Sequence, residues 1–230
     1  MTVNFAELRV LVVDDQMLVR TLLGQALRTM GFRPDSVLQA VDGSTALRTL
    51  DVKTVDIVLC DIEMQPLNGL DLLKELRCGK TMNPPNLPFV FLSGHAERQN
   101  VLIAAQLHAD GFIVKPPKPA DVEKAIETAL GRPRPEIDPF HYYSVATGTE
   151  HDRRFYGEAI RAAAFDGQPW QALPLAQIKP GALLAHDLIS QSGHLLLPAG
   201  SRLTATQLRA LRDFRERYGV QSVDVADEPQ

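Results

Sequence analysis

Five short apolar runs, each followed by a stretch with helical spacing, succeed one another through the first half of this 230-residue chain. Residues 9–14 (RVLVVD) form a β-branched run suited to a strand buried on both faces. Met17, Leu18, Leu22, Ala26 and Met30 then recur at helical intervals, and Gly31 ends that helix. Further strands are expected at 36–40, 55–60, 89–93 and 112–114. Helices are expected at 44–50, 70–77, 97–108 and 119–130, the last with Pro119 near its start and Gly131 at its end. Parallel strands need long crossover connections, and helical crossovers cover both faces of the sheet. The predicted class is therefore α/β: a doubly wound five-stranded parallel sheet, followed by a second, smaller α+β domain.

Ligands of such sheets bind beyond the carboxyl ends of the strands, near the point where the strand order reverses. Asp14, Asp15, Asp61, Ser93 and Lys115 all fall at those ends. Taken singly they are ordinary: an acid pair capping a turn, a loop hydroxyl, a surface lysine. Together on one edge they make a chemical set. Three carboxylates carry about −3, one Lys brings this to about −2, and one Mg²⁺ would neutralise the rest. A carboxylate beside such an ion can attack phosphorus to give an aspartyl phosphate. Ser93 and Lys115 could then hold the phosphoryl oxygens as charge develops on them.

LVVDDQ, DIEMQPLNG, FLSG and GFIVKPP resemble the receiver domain of bacterial two-component response regulators, over somewhat more than half the chain. The resemblance implies a flavodoxin-like receiver at 1–131, with Asp61 accepting phosphoryl from a histidine kinase or a histidine phosphotransfer protein. Asp15, Asp61 and the Glu63 carbonyl would ligate Mg²⁺ directly, and Asp14 mainly through water. Ser93 and Lys115 would bind the phosphoryl group; Ser93 and Phe112 stand at the family's switch positions. The Lys115–Pro116 bond is typically cis in that family. Two copies could pair through the last receiver helices. Met64-Gln65-Pro66 places the proline one residue later than the family's usual Met-Pro, which restrains Gln65 instead of Met64 and puts the Glu63 carbonyl in question. Gly94 stands where Ala is common, a minor change.

Residues 132–169 read as a linker and helix: GRPRPEIDPF (131–140) is a Pro-rich break, and 150–165 has helical character. From Trp170 onward, short apolar strands alternate with Pro and Gly. A helix near 205–218 follows, with Thr204 as N-cap and Gln207 completing a capping box, and a strand closes at 220–225. This 170–230 segment reads as a small α+β interaction module. It also resembles, more weakly, a module found beside receivers and HD-type domains in bacterial regulators. His186-Asp187 is similar to the metal pair of HD-type phosphohydrolases, but neighbours in a strand face opposite ways and no further His/Asp cluster accompanies them.

Charge bounds the partners. Residues 1–131 carry 13 basic against 16 acidic side chains, and the remainder 11 against 12. Neither half has the basic excess that phosphate-backbone binding requires, so nucleic acid is not the expected partner. Arg209, Arg212, Arg215 and Arg217 fall on the solvated side of an apolar stripe formed by Leu208, Leu211, Phe214 and Tyr218. Arg153-Arg154 alone is thin evidence for an anionic ligand. No run of 18 apolar residues or signal peptide occurs, and Cys60 and Cys78 lack CxxC spacing, so a cytoplasmic protein with reduced thiols is expected. The reading is a response regulator without separate enzymatic activity, whose downstream protein partner is unidentified. Its rivals are a phosphate sink, a DNA-binding transcriptional regulator, and an aspartyl-nucleophile phosphatase. Asp14-Asp15 lacks the one-residue spacing of the common haloacid-dehalogenase pattern.

Overall fold

The computed structural model describes residues 3–94, 98–134, 136–149 and 169–226, which fall into two compact units. The first contains Met1–Arg77 and Thr81–Ile137; the second contains Cys78–Lys80 and Asp138–Gln230. The helix expected at 150–165, with Arg153-Arg154, lies outside the described residues. Among these residues, no helix is long and apolar enough to cross a membrane.

In the first unit, strands β1 (Val10–Val13), β2 (Val37–Ala40), β3 (Ile57–Asp61), β4 (Phe89–Ser93) and β5 (Gly111–Val114) form one sheet. Their order is β2-β1-β3-β4-β5, with every pairing parallel. Helices α1 (Met17–Thr29), α2 (Gly43–Leu50), α3 (Gly69–Arg77) and α4 (Arg98–Gln106) supply the crossovers, and α5 (Pro119–Gly131) follows β5. α1 neighbours α5, while α3 neighbours both α2 and α4. The doubly wound class is thus the observed one, with the order of the strands reversing between β1 and β3.

Alternation along the strands divides the core between the two faces. Val10, Val12, Ile57, Leu59, Val90, Leu92 and Ile113 pack with Val19, Leu23 and Leu27 of α1 and Val122, Ile126 and Ala129 of α5. Burying each such large side chain contributes about 1.5–3 kcal/mol. A one-residue slip would exchange the two faces of a strand, which pins the register.

The face of α1 differs from the sequence reading. The stripe through Met17, Leu18 and Leu22 is exposed, at 74%, 70% and 42%, whereas Val19, Leu23 and Leu27 are buried. Two interleaved apolar series run along this helix, and spacing alone cannot say which meets the sheet. Gly31, at φ +106, does end the helix, in a backbone conformation that disfavours a Cβ. Gly131 is instead the last helical residue of α5, followed by an extended Arg132.

The second unit has its own core. β6 (Trp170–Pro174) pairs antiparallel with β9 (Ser222–Ala226), and β7 (Leu188–Ile189) with β8 (Leu195–Leu197). The helix expected near 205–218 is two pieces, α6 (Ala205–Asp213) and α7 (Arg215–Tyr218), because Phe214 leaves the helical region at φ −99, ψ 28. The capping box is present: Gln207 N donates to Thr204 Oγ1 and Thr204 N to Gln207 Oε1, both at 3.1 Å. Leu208, Leu211 and Tyr218 are buried against strand residues Leu188, Leu197, Val223 and Val225, while Arg209, Arg212, Arg215 and Arg217 are exposed.

Residues of the 131–140 stretch make specific contacts. Arg134 pairs with buried Asp110 at 2.9 Å in the first unit. Phe140, in a short 3₁₀ turn over Pro139–Tyr142, enters the second core and meets Tyr218 edge to face at 5.4 Å. An aromatic ring such as that of Phe140 buries enough surface to pack its own short turn onto a core.

Candidate functional site

β1 ends by delivering Asp14, fully buried, and then Asp15, exposed. Asp14 Oδ1 accepts the Gln16 backbone N–H at 2.8 Å, so its carboxylate is held by its own turn. Arg20, one turn into α1, donates to the carbonyls of Asp14 at 2.7 Å and Asp15 at 3.2 Å. Sequence reading missed Arg20; the available signal was a cation one helical turn after the acid pair. Asp61 ends β3, 5% exposed, its Oδ1 accepting the Ile62 N–H at 2.9 Å.

Lys115 joins these elements. Its backbone N–H donates to the Ser93 carbonyl at 2.8 Å, which ties the exit of β5 to the end of β4. Its ammonium lies 2.7 Å from Asp14 Oδ2 and 2.7 Å from Asp61 Oδ2. Asp14, Asp15 and Asp61 each offer an oxygen within 4.8 Å of the others, an arrangement that could hold a metal ion. Such crowded oxygens fit a hard divalent cation such as Mg²⁺.

Burial is the first reason that the Asp61 carboxyl is raised above its usual range; Lys115 opposes this and the Asp14 charge adds to it. Burial alone would lower the Lys115 ammonium, but its bonds to Asp14 and Asp61 outweigh that and raise it. Burial, followed by Asp61 and Asp14, pushes the Cys60 thiol well up, so Cys60 is a neutral side chain behind the site, donating to the Asp61 carbonyl at 3.0 Å.

A second residue shaping the site is Gly69, at the start of α3. An added Cβ would sit 2.1 Å from the Asp61 carbonyl oxygen and 3.0 Å from Phe91. Its N–H donates to the Ile62 carbonyl at 2.9 Å, closing the 62–68 loop over the end of β3.

Ser93 is nearly buried at the end of β4, and a Cβ on the following Gly94 would meet nothing within 4 Å. Glu63 is exposed two residues after Asp61, and Met64 is buried. The Gln65–Pro66 and Lys115–Pro116 bonds are both cis. Phe112 is 39% exposed, with its ring stacked on Phe91 at a centroid distance of 5.7 Å.

His186 and Asp187 do not converge. They lie in a bend before β7 rather than within a strand; His186 Nδ1 is 3.0 Å from Asp224 Oδ2, and Asp187 accepts the Ala199 N–H at 2.8 Å.

Fold and site together define a class: a doubly wound α/β domain with an acidic, lysine-bearing cleft at the carboxyl edge of its sheet. The response regulator receiver domain matches residues 10–127, just over half of the chain, and the chain belongs to that family. Chemotaxis protein CheY-3 of Vibrio cholerae is 32% identical over 125 residues, covering 54% of this chain and 93% of that protein. Chemotaxis protein CheY of Pseudomonas aeruginosa is 30% identical over 125 residues, covering 54% and 98%. Among solved structures, the receiver domain of the P. aeruginosa sensor histidine kinase PA1611, with a magnesium ion in its active-site cleft, is 24% identical. It has a TM-score of 0.48 and covers 54% of this chain and 98% of that one.

Proposed function

We propose that the chain is a response regulator of a two-component phosphorelay that takes phosphoryl onto Asp61 from a histidine kinase or a histidine phosphotransfer protein. The observation that carries this reading is the Lys115 ammonium, 2.7 Å from both Asp14 and Asp61 at the edge where Asp15 also converges. A lone pair on one Asp61 carboxylate oxygen attacks phosphorus as the P–N bond of the donor phosphohistidine breaks, and the imidazole nitrogen leaves with the electron pair of that bond. Lys115 and Ser93 hold the phosphoryl oxygens; Lys115 exchanges a carboxylate contact for a phosphoryl one. Asp15, Asp61 and the Glu63 carbonyl would hold Mg²⁺, with Asp14 acting mainly through water, and its chemistry there would be charge neutralisation. Arg20 keeps the acid pair in place through its carbonyls.

Residues 170–230 act as a protein-interaction module, in the cytoplasm, with no separate enzymatic activity. Exposed arginines alternating with Asp213 and Glu216, and the near-zero charge of this half, support a protein partner over DNA. Phe112 reports the state of Asp61 to the face formed by α4 and α5, through which two copies could also pair. Its ring has no hydroxyl, so packing on Phe91 must hold the inward state. Phosphorylation in the presence and absence of EDTA tests the metal role: labelling should fall to background on chelation and fall strongly in Asp15→Asn. Metal-independent labelling would refute it.

A further inference from the structure

The turn between β2 and α2 supplies none of the three clustered carboxylates, yet its backbone is bonded to their edge at both ends. The Ala40 carbonyl accepts the Asp14 N–H at 3.3 Å, and the Gly43 N–H donates to the Leu67 carbonyl at 3.1 Å. Asp42, the N-cap of α2, directs its carboxylate to the Thr45 N–H at 2.7 Å, which fixes the first turn of the helix around Gly43. Leu67 lies in the segment 62–68, and backbone bonds relate that segment to the acceptor. Gly69 N–H donates to the Ile62 carbonyl at 2.9 Å, and Ile62 N–H to Asp61 Oδ1 at 2.9 Å. Ile62, Met64 and Leu67 are all buried, so the segment is packed against the domain. A Cβ on Gly43 would lie 2.6 Å from the Leu67 carbonyl oxygen and 3.0 Å from Leu67 Cγ. That approach is too close to persist, and backbone would have to move to relieve it. In α1, by contrast, a Cβ on Gly24 would meet Gln39 Nε2 at an ordinary 3.7 Å.

We infer that Gly43 is a positioning residue for Mg²⁺ at the Asp61 edge: without a Cβ, it lets α2 approach Leu67 and seat the segment whose first amide fixes the Asp61 carboxylate. The role presupposes that Asp61 is a Mg²⁺-dependent acceptor. Mg²⁺ demands near-ideal octahedral geometry, whereas Ca²⁺ accepts a flexible one, so a displaced segment penalises Mg²⁺ more. Gly43→Ala relieves its overlap by moving 62–68, and metal binding has to reverse that movement. Overpacking of this kind costs enough to weaken binding about tenfold.

Titration calorimetry of the full chain with MgCl₂, and separately with CaCl₂, tests this in wild type, Gly43→Ala and Gly24→Ala, each checked for folding by circular dichroism. Gly43→Ala should bind Mg²⁺ about tenfold more weakly, with a smaller loss for Ca²⁺, and Gly24→Ala should match wild type. The Mg²⁺ concentration giving half-maximal labelling by acetyl phosphate should rise in parallel, while labelling at saturating Mg²⁺ returns to the wild-type level. Amide NMR of wild type supplies a measurement that needs no variant: the Gly43 resonance should shift as Mg²⁺ is added and the Gly24 resonance should not. Failure of wild type to bind Mg²⁺ would overturn the acceptor reading and this role together. Wild-type Mg²⁺ affinity in a folded Gly43→Ala chain, an equal loss in Gly24→Ala, equal losses for Mg²⁺ and Ca²⁺, or a Gly43 amide unmoved by Mg²⁺ would overturn the role of Gly43 alone.

Discussion

The first unit gathers its chemistry on one edge, whereas the second distributes its polar groups around a packed core. In the first, Asp14, Asp15, Asp61, Ser93 and Lys115 come from four strand ends, and a single ammonium contacts two buried carboxylates. In the second, His186 and Asp187 satisfy separate partners, and Gln207 is spent on the capping box, a carbonyl and a phenol. The difference shows what a parallel sheet does for function. It aligns the exits of strands distant in sequence, so crowded like charges can be maintained there. Small antiparallel pairs have no such edge, and their polar residues mostly complete turns and caps.

Substitutions should separate the two regions by kind of effect. The largest concern the cores. Leu211→Ala in the second unit and Leu23→Ala in the first should each cost about 2–5 kcal/mol, with only the latter disturbing the Asp61 edge. Denaturant unfolding followed by fluorescence of Trp170, which lies in β6, should detect the first directly. Leu18→Ala, on the exposed face of α1, should stay within about 0.5 kcal/mol. An equal loss at Leu18 and Leu23 would mean that the buried face of α1 is wrongly assigned.

Gly69→Val should come next, costing roughly 3 kcal/mol, because its Cβ would overlap the Asp61 carbonyl and little can yield there. Phosphoryl labelling should fall along with stability, as the loop over Asp61 is displaced. Normal labelling at wild-type stability would show that the close approach is unimportant.

A smaller effect has the opposite sign. The folded-state pKa of Asp61 is raised, chiefly by burial, above the ordinary carboxylate range, so its ionised form favours the unfolded chain. In EDTA at neutral pH, Asp61→Asn should therefore raise the thermal midpoint. The gain should be complete above the folded pKa and shrink as pH falls toward the unfolded one, where both states are protonated. A lower midpoint for the variant at neutral pH would mean that the pairing of Asp61 with Lys115 outweighs burial.

Much of the acidic edge was legible in the chain because each residue follows an apolar run, and a run's end is visible without coordinates. Arg20 was missed: a cation one helical turn after the acid pair is visible in the chain, but its action through backbone carbonyls is not. The face of α1 was hidden by two overlapping apolar series. In the second unit the Thr204–Gln207 box was readable from spacing, but the break at Phe214 was not: Phe214 and Tyr218 keep helical spacing while the backbone between them departs from it. Phe140 was masked by its prolines, which mark a turn and say nothing of the ring packed beside them.

The central claim is that Asp61 is the phosphoacceptor, and intact-mass analysis after incubation with Mg²⁺ and a small phosphodonor such as acetyl phosphate tests it most directly. Wild type should gain one phosphoryl group, removable by hydroxylamine and mapped to the peptide holding Asp61, while folded Asp61→Asn should gain none. A phosphoryl group on folded Asp61→Asn, or one mapped in wild type to any other residue, would contradict the account.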